Sequence, residues 1–355
     1  LTREIDRLGA EYNAFTGKEY TGYYIKADAS YADVSFDILS DMLLNSVFDA
    51  KEMEREKGPI VEELRMYRDN PLMNIDNIFE DLLYEGCPLG RDIGGTEKHV
   101  LSYKRPDVLA YRDRYYDVSN MTIVVAGAVT EKTKKLIQKY FGEAVSKKKT
   151  SQAFKPYCFG SKKKADRIVV QHKKTEQAQL MLGFPGFRYD AKENSVAAVM
   201  HTILGGSMSS RLFIQIRERR GLAYMIRSGM ENFRDTGHFF VRAGLDPKNL
   251  NKAIDVIKKE LEKIMTKGVT KRELADAKTH IRGGLTLALE DSSSQADWYA
   301  KQSLFMDKIR TPEEQLKKID AVTNKQIIAL AKRIFKMSEM RVAVIGDITK
   351  EDILF

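Results

Sequence analysis

Two glutamates on one predicted helix are the first residues in this sequence that could carry out chemistry. Glu56 and Glu63 are seven residues apart, which is about two helical turns, so both lie on one face of the helix predicted over residues 49–68. Asp49 is suited to cap its start. Paired carboxylates can ligate a metal or exchange protons. A solvated helix face is the ordinary alternative, and the spacing alone leaves both interpretations open.

An internal repeat supplies the elements that must position these acids. Residues 107–131 align without a gap onto residues 326–350, a shift of 219, with seven of 25 positions identical. Each copy has the pattern of an amphipathic helix, a short turn and a strand. The predicted strands cover residues 121–126 and 340–345, which are rich in β-branched side chains.

The repeat extends towards the N-terminus and shows that the two glutamates occur in only one of the two copies. Residues 21–24 parallel residues 236–239, and the helix of Glu56 and Glu63 has a twin in which Ala277 and Gly284 occupy the same places. One copy therefore carries acids where the other carries small neutral residues. A site built on one half of a duplication would leave this asymmetry.

The second copy has a segment that the first copy lacks. Residues 166–217 predict strands over 167–171 and 178–184 and a helix over 194–204. The repeat thus predicts that a strand pair and a helix belong before Leu1.

The expected fold class is α+β. We predict two homologous units, each a mostly antiparallel sheet packed with helices, the first without its N-terminal strands and first helix. The predicted boundaries are 1–145 for the first unit, 146–165 for a lysine-rich linker and 166–355 for the second unit.

Composition excludes some classes of protein. Hydrophobic residues make up 43% and charged residues 31% of the chain, as in soluble globular proteins, and no apolar run is long enough for a membrane span. Cys87 and Cys158 lack zinc-ligand spacing, so free thiols in a reducing compartment, the cytoplasm, are expected.

The net charge of +9 comes largely from one lysine-rich stretch. No aromatic stacking motif accompanies it, so a solvated linker is favoured over nucleic-acid binding. The lysines are Lys147, Lys148, Lys149, Lys155, Lys162, Lys163, Lys164, Lys173 and Lys174.

The stretch EREKGPIVEEL at residues 54–64 resembles a helix of the pitrilysin/insulinase-type zinc metallopeptidases, which include mitochondrial processing peptidase. In that family an inverted HxxEH motif supplies two histidine ligands and a general base, and a distant glutamate is the third ligand. The resemblance implies Zn²⁺ as cofactor, Glu63 as the third ligand and Glu56 as a supporting acid. Glu62 is the adjacent alternative.

Two more segments resemble the family. Asn13 and Ala14 begin an NAFT segment of the kind found on the family's edge strand, which implies backbone pairing with an extended substrate; an ordinary strand is the alternative. The sequence RERRGLAY at 217–224 resembles the family's Arg/Tyr segment. Arg217 and Tyr224 would then hold the substrate carbonyl and the developing oxyanion.

The family's zinc motif is absent, because no HxxEH occurs among the 355 residues. The resemblance places it upstream of Leu1, in the helix that the repeat predicts to be missing. We therefore expect a zinc endopeptidase for unfolded or short peptides that is inactive without that helix. The alternative is a non-catalytic subunit or scaffold of a processing-peptidase-like complex.

A homodimer is the simplest expected assembly, because one chain carries both Glu63 and the Arg217/Tyr224 pair. Pairing with a related subunit is the alternative. The substrate's sequence preference cannot be inferred from the chain.

Overall fold

The computed structural model describes residues 1–142, 144 and 156–354. Most of the lysine-rich stretch, residues 146–155, lies outside them. The helices and strands in chain order are α1 Thr2–Arg7, β1 Glu11–Thr16, β2 Thr21–Lys26, α2 Ala32–Leu44, α3 Ala50–Asp69, α4 Pro71–Leu83, α5 Glu97–Ser102, α6 Arg105–Tyr115, α7 Glu131–Ile137, β3 Ile168–His172, β4 Ala178–Pro185, α8 Asn194–Gly205, β5 Ala223–Asn232, β6 Gly237–Leu245, α9 Leu250–Lys267, α10 Lys271–Ala288, α11 Ser292–Phe305, α12 Pro312–Asp320, α13 Asn324–Ile334 and β7 Arg341–Gly346.

The chain divides into two compact units, each of which is made of three separate segments of the sequence. The first consists of residues 1–64, 93–155 and 288–304, and the second of residues 65–92, 156–287 and 305–355. The α+β class is confirmed. The boundaries at 145 and 166 describe the duplication and stay a prediction.

The second unit is built on a five-stranded sheet in the order β3-β7-β4-β6-β5. Neighbouring strands are antiparallel except β3 and β7, which are parallel. The strands and the helix predicted for this copy are confirmed to within one residue at each end.

Alternate side chains of β4 face two different cores. Leu180 and Leu182 are fully buried in a large cluster with residues of α8, α9 and α13. Met181, between them, belongs to a second cluster with Ile75 and Phe79 of α4. Because successive strand residues point to opposite faces, β4 is buried on both sides.

The first unit contains a two-stranded antiparallel sheet, in which Glu11 of β1 pairs with Lys26 of β2. The segment at the start of α11 is tied to this sheet, since Lys26 Nζ lies 2.5 Å from Asp291 Oδ2. Lys301 of α11 also lies over the Tyr20 ring, 5.8 Å from its centroid. The sheet thus gains support from a helix distant in sequence.

The strand predicted over residues 121–126 is wrong, because these residues form no strand. Their repeat counterpart, β7, lies between β3 and β4 and takes hydrogen bonds from both. The described residues of the first unit contain no counterpart of β3 or β4. A segment without neighbours cannot form a ladder, and Ile123 and Val125 are left 39% and 36% exposed.

Helices α13 and α6, which occupy equivalent places in the repeat, also show that the described first unit lacks a covering layer. In α13, which packs against α8, Leu330 is 5% exposed and Ile334 is 2% exposed. The repeat places Tyr111 and Tyr115 of α6 at these positions, and Tyr111 is 60% exposed. The first unit therefore leaves open the face of α6 that its twin α13 buries in the core of the second unit. We call the exposed apolar residues Tyr111 of α6 and Ile123 and Val125 of the segment after it the uncovered face.

A charged pair fixes the loop before α10. Arg211 Nε donates to Glu273 Oε1 at 2.6 Å, and Arg211 Nη2 donates to Glu273 Oε2 at 2.9 Å. The backbone N–H of Thr270 donates to the same carboxylate at 2.8 Å. Burial by itself raises the pKa of Glu273, but these hydrogen bonds outweigh it and lower the pKa from 4.5 to about 2.

This carboxylate should make stability depend on pH. Because its pKa is lower in the folded protein, its contribution is complete above pH 4.5 and is lost as the pH falls towards 2. Glu273→Gln should flatten the fall of the urea midpoint in that window. Asp276→Asn is the matched control, because Asp276 lies on the same helix and its side chain is 70% exposed. An unchanged slope in Glu273→Gln would contradict this assignment.

The twin aromatic residues allow a second stability test. Phe335 is 1% exposed and packs against Phe184 and Phe239, with ring centroids 5.4 Å and 5.1 Å away. Phe335→Ala should reduce the free energy of unfolding by about 3–5 kcal/mol through the cavity that it leaves. Its twin Tyr116 is only partly buried, so Tyr116→Ala should cost less. Urea denaturation followed by circular dichroism measures both, and equal losses would refute the comparison.

Candidate functional site

Helix α3 is capped and anchored in a way that leaves one face free. As predicted, Asp49 caps its start, accepting hydrogen bonds at Oδ1 from the N–H groups of Lys51 and Glu52 at 2.9 and 3.1 Å. Val61 and Leu64 are buried in a small cluster. This apolar contact fixes the helix and turns its acidic positions outwards.

Glu56 and Glu63 are both exposed on α3. No hydrogen bond or ion pair ties either carboxylate to another of the described residues, whereas nearby Glu54 accepts a hydrogen bond from Lys57 at 2.6 Å. The two carboxylates that the sequence singled out are thus free to take a ligand.

The described residues do not complete a zinc site. Nowhere in residues 1–142, 144 and 156–354 do three or more histidine, cysteine, aspartate or glutamate side chains come together in a way that could hold a metal. Catalytic zinc usually has three protein ligands, and Glu63 would supply one. The described residues therefore do not fit a bound zinc by themselves.

Strand β1 carries the predicted substrate residues Asn13 and Ala14. All six residues of β1 are exposed, and the strand is paired on one side by β2. Asn13 Oδ1 accepts a hydrogen bond from the Ala14 N–H at 2.8 Å. An edge strand with exposed backbone groups can add an extended peptide as a further strand.

The structure brings Arg217 and Tyr224 together in the second unit. Arg217 lies on a π-helical turn, Phe213–Glu218, and Tyr224 lies at the start of β5. The Arg217 guanidinium carbon is 5.3 Å from the centroid of the Tyr224 ring. Gly221, with φ of 58°, lies between them where the chain reverses, a conformation that glycine adopts without strain.

Sequence reasoning missed Phe213, whose ring centroid is 4.9 Å from the Arg217 guanidinium carbon. The signal was available, because an aromatic residue four positions before an arginine in a helical segment lies on the same face.

Family models match most of the chain. Residues 1–97 match the model described as insulinase, peptidase family M16, and residues 102–281 match the one described as the peptidase M16 inactive domain.

None of the described helices has both the length and the apolar character needed to cross a membrane.

Two curated relatives are similar over almost the whole chain. An uncharacterized zinc protease of Bacillus subtilis, YmxG, is 34% identical over 94% of this chain and 80% of its own length. An uncharacterized zinc protease of Streptomyces coelicolor is 30% identical over 94% of this chain and 73% of its own length.

Solved structures share the fold. A protease from Helicobacter pylori has a TM-score of 0.86 at 20% identity, covering 97% of this chain and 83% of that one. A peptidase M16 inactive domain from Pseudomonas fluorescens has a TM-score of 0.88 at 18% identity, covering 98% and 84%. With the family models and relatives that match its sequence, these similarities place the chain in peptidase family M16, the insulinase family.

Proposed function

We propose that this chain carries the larger part of a zinc-dependent endopeptidase that cleaves unfolded or short peptides. Glu63 would be the third zinc ligand and Glu56 its supporting acid. The observation that carries the proposal is the pair of exposed, uncommitted carboxylates on α3, whose twins are Ala277 and Gly284. Relatives named zinc proteases support it.

The remaining zinc ligands would come from a strand pair and a helix packed on the uncovered face. In the second unit, β3, β4 and α8 take the corresponding places against β7 and α13. Covering Tyr111, Ile123 and Val125 would remove exposed apolar surface, which favours binding. The HxxEH motif would lie on that helix.

The chain's own residues would handle the substrate. An extended peptide would pair with β1 at Asn13 and Ala14 through backbone hydrogen bonds. Arg217 would donate from its guanidinium to the substrate carbonyl, and Tyr224 would donate from its hydroxyl to the developing oxyanion. Because one chain carries both Glu63 and the Arg217/Tyr224 pair, we propose a homodimer, with a related subunit as the alternative partner.

The 355-residue chain by itself should bind zinc poorly and should not hydrolyse peptides, because one carboxylate cannot retain the metal. After dialysis, we expect mass spectrometry to find far less zinc than one ion per chain, with no further loss in Glu63→Gln. Stoichiometric zinc together with peptide hydrolysis in this chain would contradict the proposal.

The coding sequence before Leu1 provides the decisive test. If it encodes HxxEH, the extended protein should bind zinc and cleave peptides. Glu56→Gln should then weaken zinc binding by about 10- to 100-fold, as expected for a group that supports a ligand, and Glu63→Gln should weaken it more. Glu62→Gln tests the adjacent alternative ligand, and a larger loss of zinc binding there than in Glu63→Gln would assign the third ligand to Glu62. A coding sequence without HxxEH would exclude the peptidase and favour the non-catalytic subunit.

A further inference from the structure

Two aromatic rings flank Arg217. Its guanidinium carbon is 4.9 Å from the Phe213 ring centroid and 5.3 Å from the Tyr224 ring centroid. Both distances are within the range in which the face of an aromatic ring attracts a cation.

The two rings differ in how firmly the fold holds them. Phe213 is 7% exposed, and its neighbours Leu212 and Ile216 are fully buried. Tyr224 is 74% exposed. It is also the extra residue of a β-bulge, because Ala223 pairs with Leu245 and Met225 pairs with Gly244. A bulge redirects the side chain of its extra residue.

The backbone of this segment is as unusual as its side chains. The N–H of Arg219 donates to the carbonyl of Ile214, five residues earlier, at 2.9 Å. Such π-helical turns are rare and are frequent at functional sites. The turn keeps Phe213 and Arg217 on one side of the segment.

Stacking leaves the hydrogen-bond donors of Arg217 unused. In the part of the chain that the structure describes, no hydrogen bond or ion pair involves its guanidinium. Arg333 is the contrast: it lies 4.7 Å from the Phe187 ring centroid but also donates to Glu193 at 2.7 Å. The Arg333 stack is therefore part of a closed structural contact, whereas Arg217 keeps five N–H donors available for a carbonyl or carboxylate oxygen.

We propose that Phe213 is a positioning residue, whose buried ring is the fixed platform that orients Arg217 for a substrate carbonyl. Tyr224, bulged and exposed, is the less firmly held ring on the other side. The role of Arg217 in binding a substrate carbonyl rests on the proposed peptidase function. The stacking of Arg217 on Phe213 does not depend on it.

Nuclear magnetic resonance on the 355-residue chain tests the orientation without any need for activity. Ring currents should shift the Arg217 side-chain protons upfield from those of a free arginine. Phe213→Leu should remove most of this shift, and Phe213→Tyr should keep it. Tyr224→Leu should remove less, because that ring is exposed and is not held by packing. The Arg333 protons are the internal control and should not change, provided that the variant is folded.

Kinetics on the extended, zinc-containing protein test the purpose. Phe213→Leu should lower kcat/KM by between about 2- and 30-fold, the range of one cation–π contact, with recovery in Phe213→Tyr. An Arg217 shift that is absent from the wild type or unaffected by Phe213→Leu would overturn the proposal. If the predicted Arg217 chemical shifts are present but the extended protein has no peptidase activity, the proposed function is wrong, and the positioning of Arg217 by Phe213 remains supported.

Discussion

The insertion of β7 between β3 and β4 is the pairing on which the second unit depends. It joins strands from the beginning and the end of that unit, and it aligns Val342 and Val344 with the main core while Ala343 and Ile345 face α4. Both faces of the sheet are therefore apolar, and helices cover both. The buried N–H and C=O groups of a central strand need hydrogen-bond partners in the strands on both sides. Loss of either neighbouring strand would therefore leave buried groups unpaired and disrupt β7.

The first unit illustrates that requirement by contrast. Residues 121–126 have a sequence similar to β7 but no neighbouring strand among the described residues, and they remain outside any sheet. The helix before them, α6, has no buried residue, whereas its twin α13 has four. The same sequence pattern thus gives a packed core in one unit and an uncovered face in the other, because burial requires a surface to pack against.

The candidate functional residues are held in two different ways, by helix packing and by stacking on aromatic rings. Glu56 and Glu63 are on a helix whose opposite face is held by Val61 and Leu64, so their carboxylates are positioned but carry no bound partner among the described residues. Arg217 is held by stacking instead, and its guanidinium edge is left open. In both places neighbouring apolar or aromatic contacts hold the segment that carries a charged group, and the ligand-binding atoms of that group stay unused.

The sequence by itself determined the duplication, the strands and helix of the second unit and the segments that carry Glu63 and Arg217, because these depend on local pattern and on motifs. It failed at residues 121–126, where a strand-like pattern had no partner. Only the tertiary structure decided that α4 packs on the second unit's sheet and that Phe213 stacks on Arg217. Such contacts depend on the positions of residues brought together by folding, and no local pattern encodes those positions.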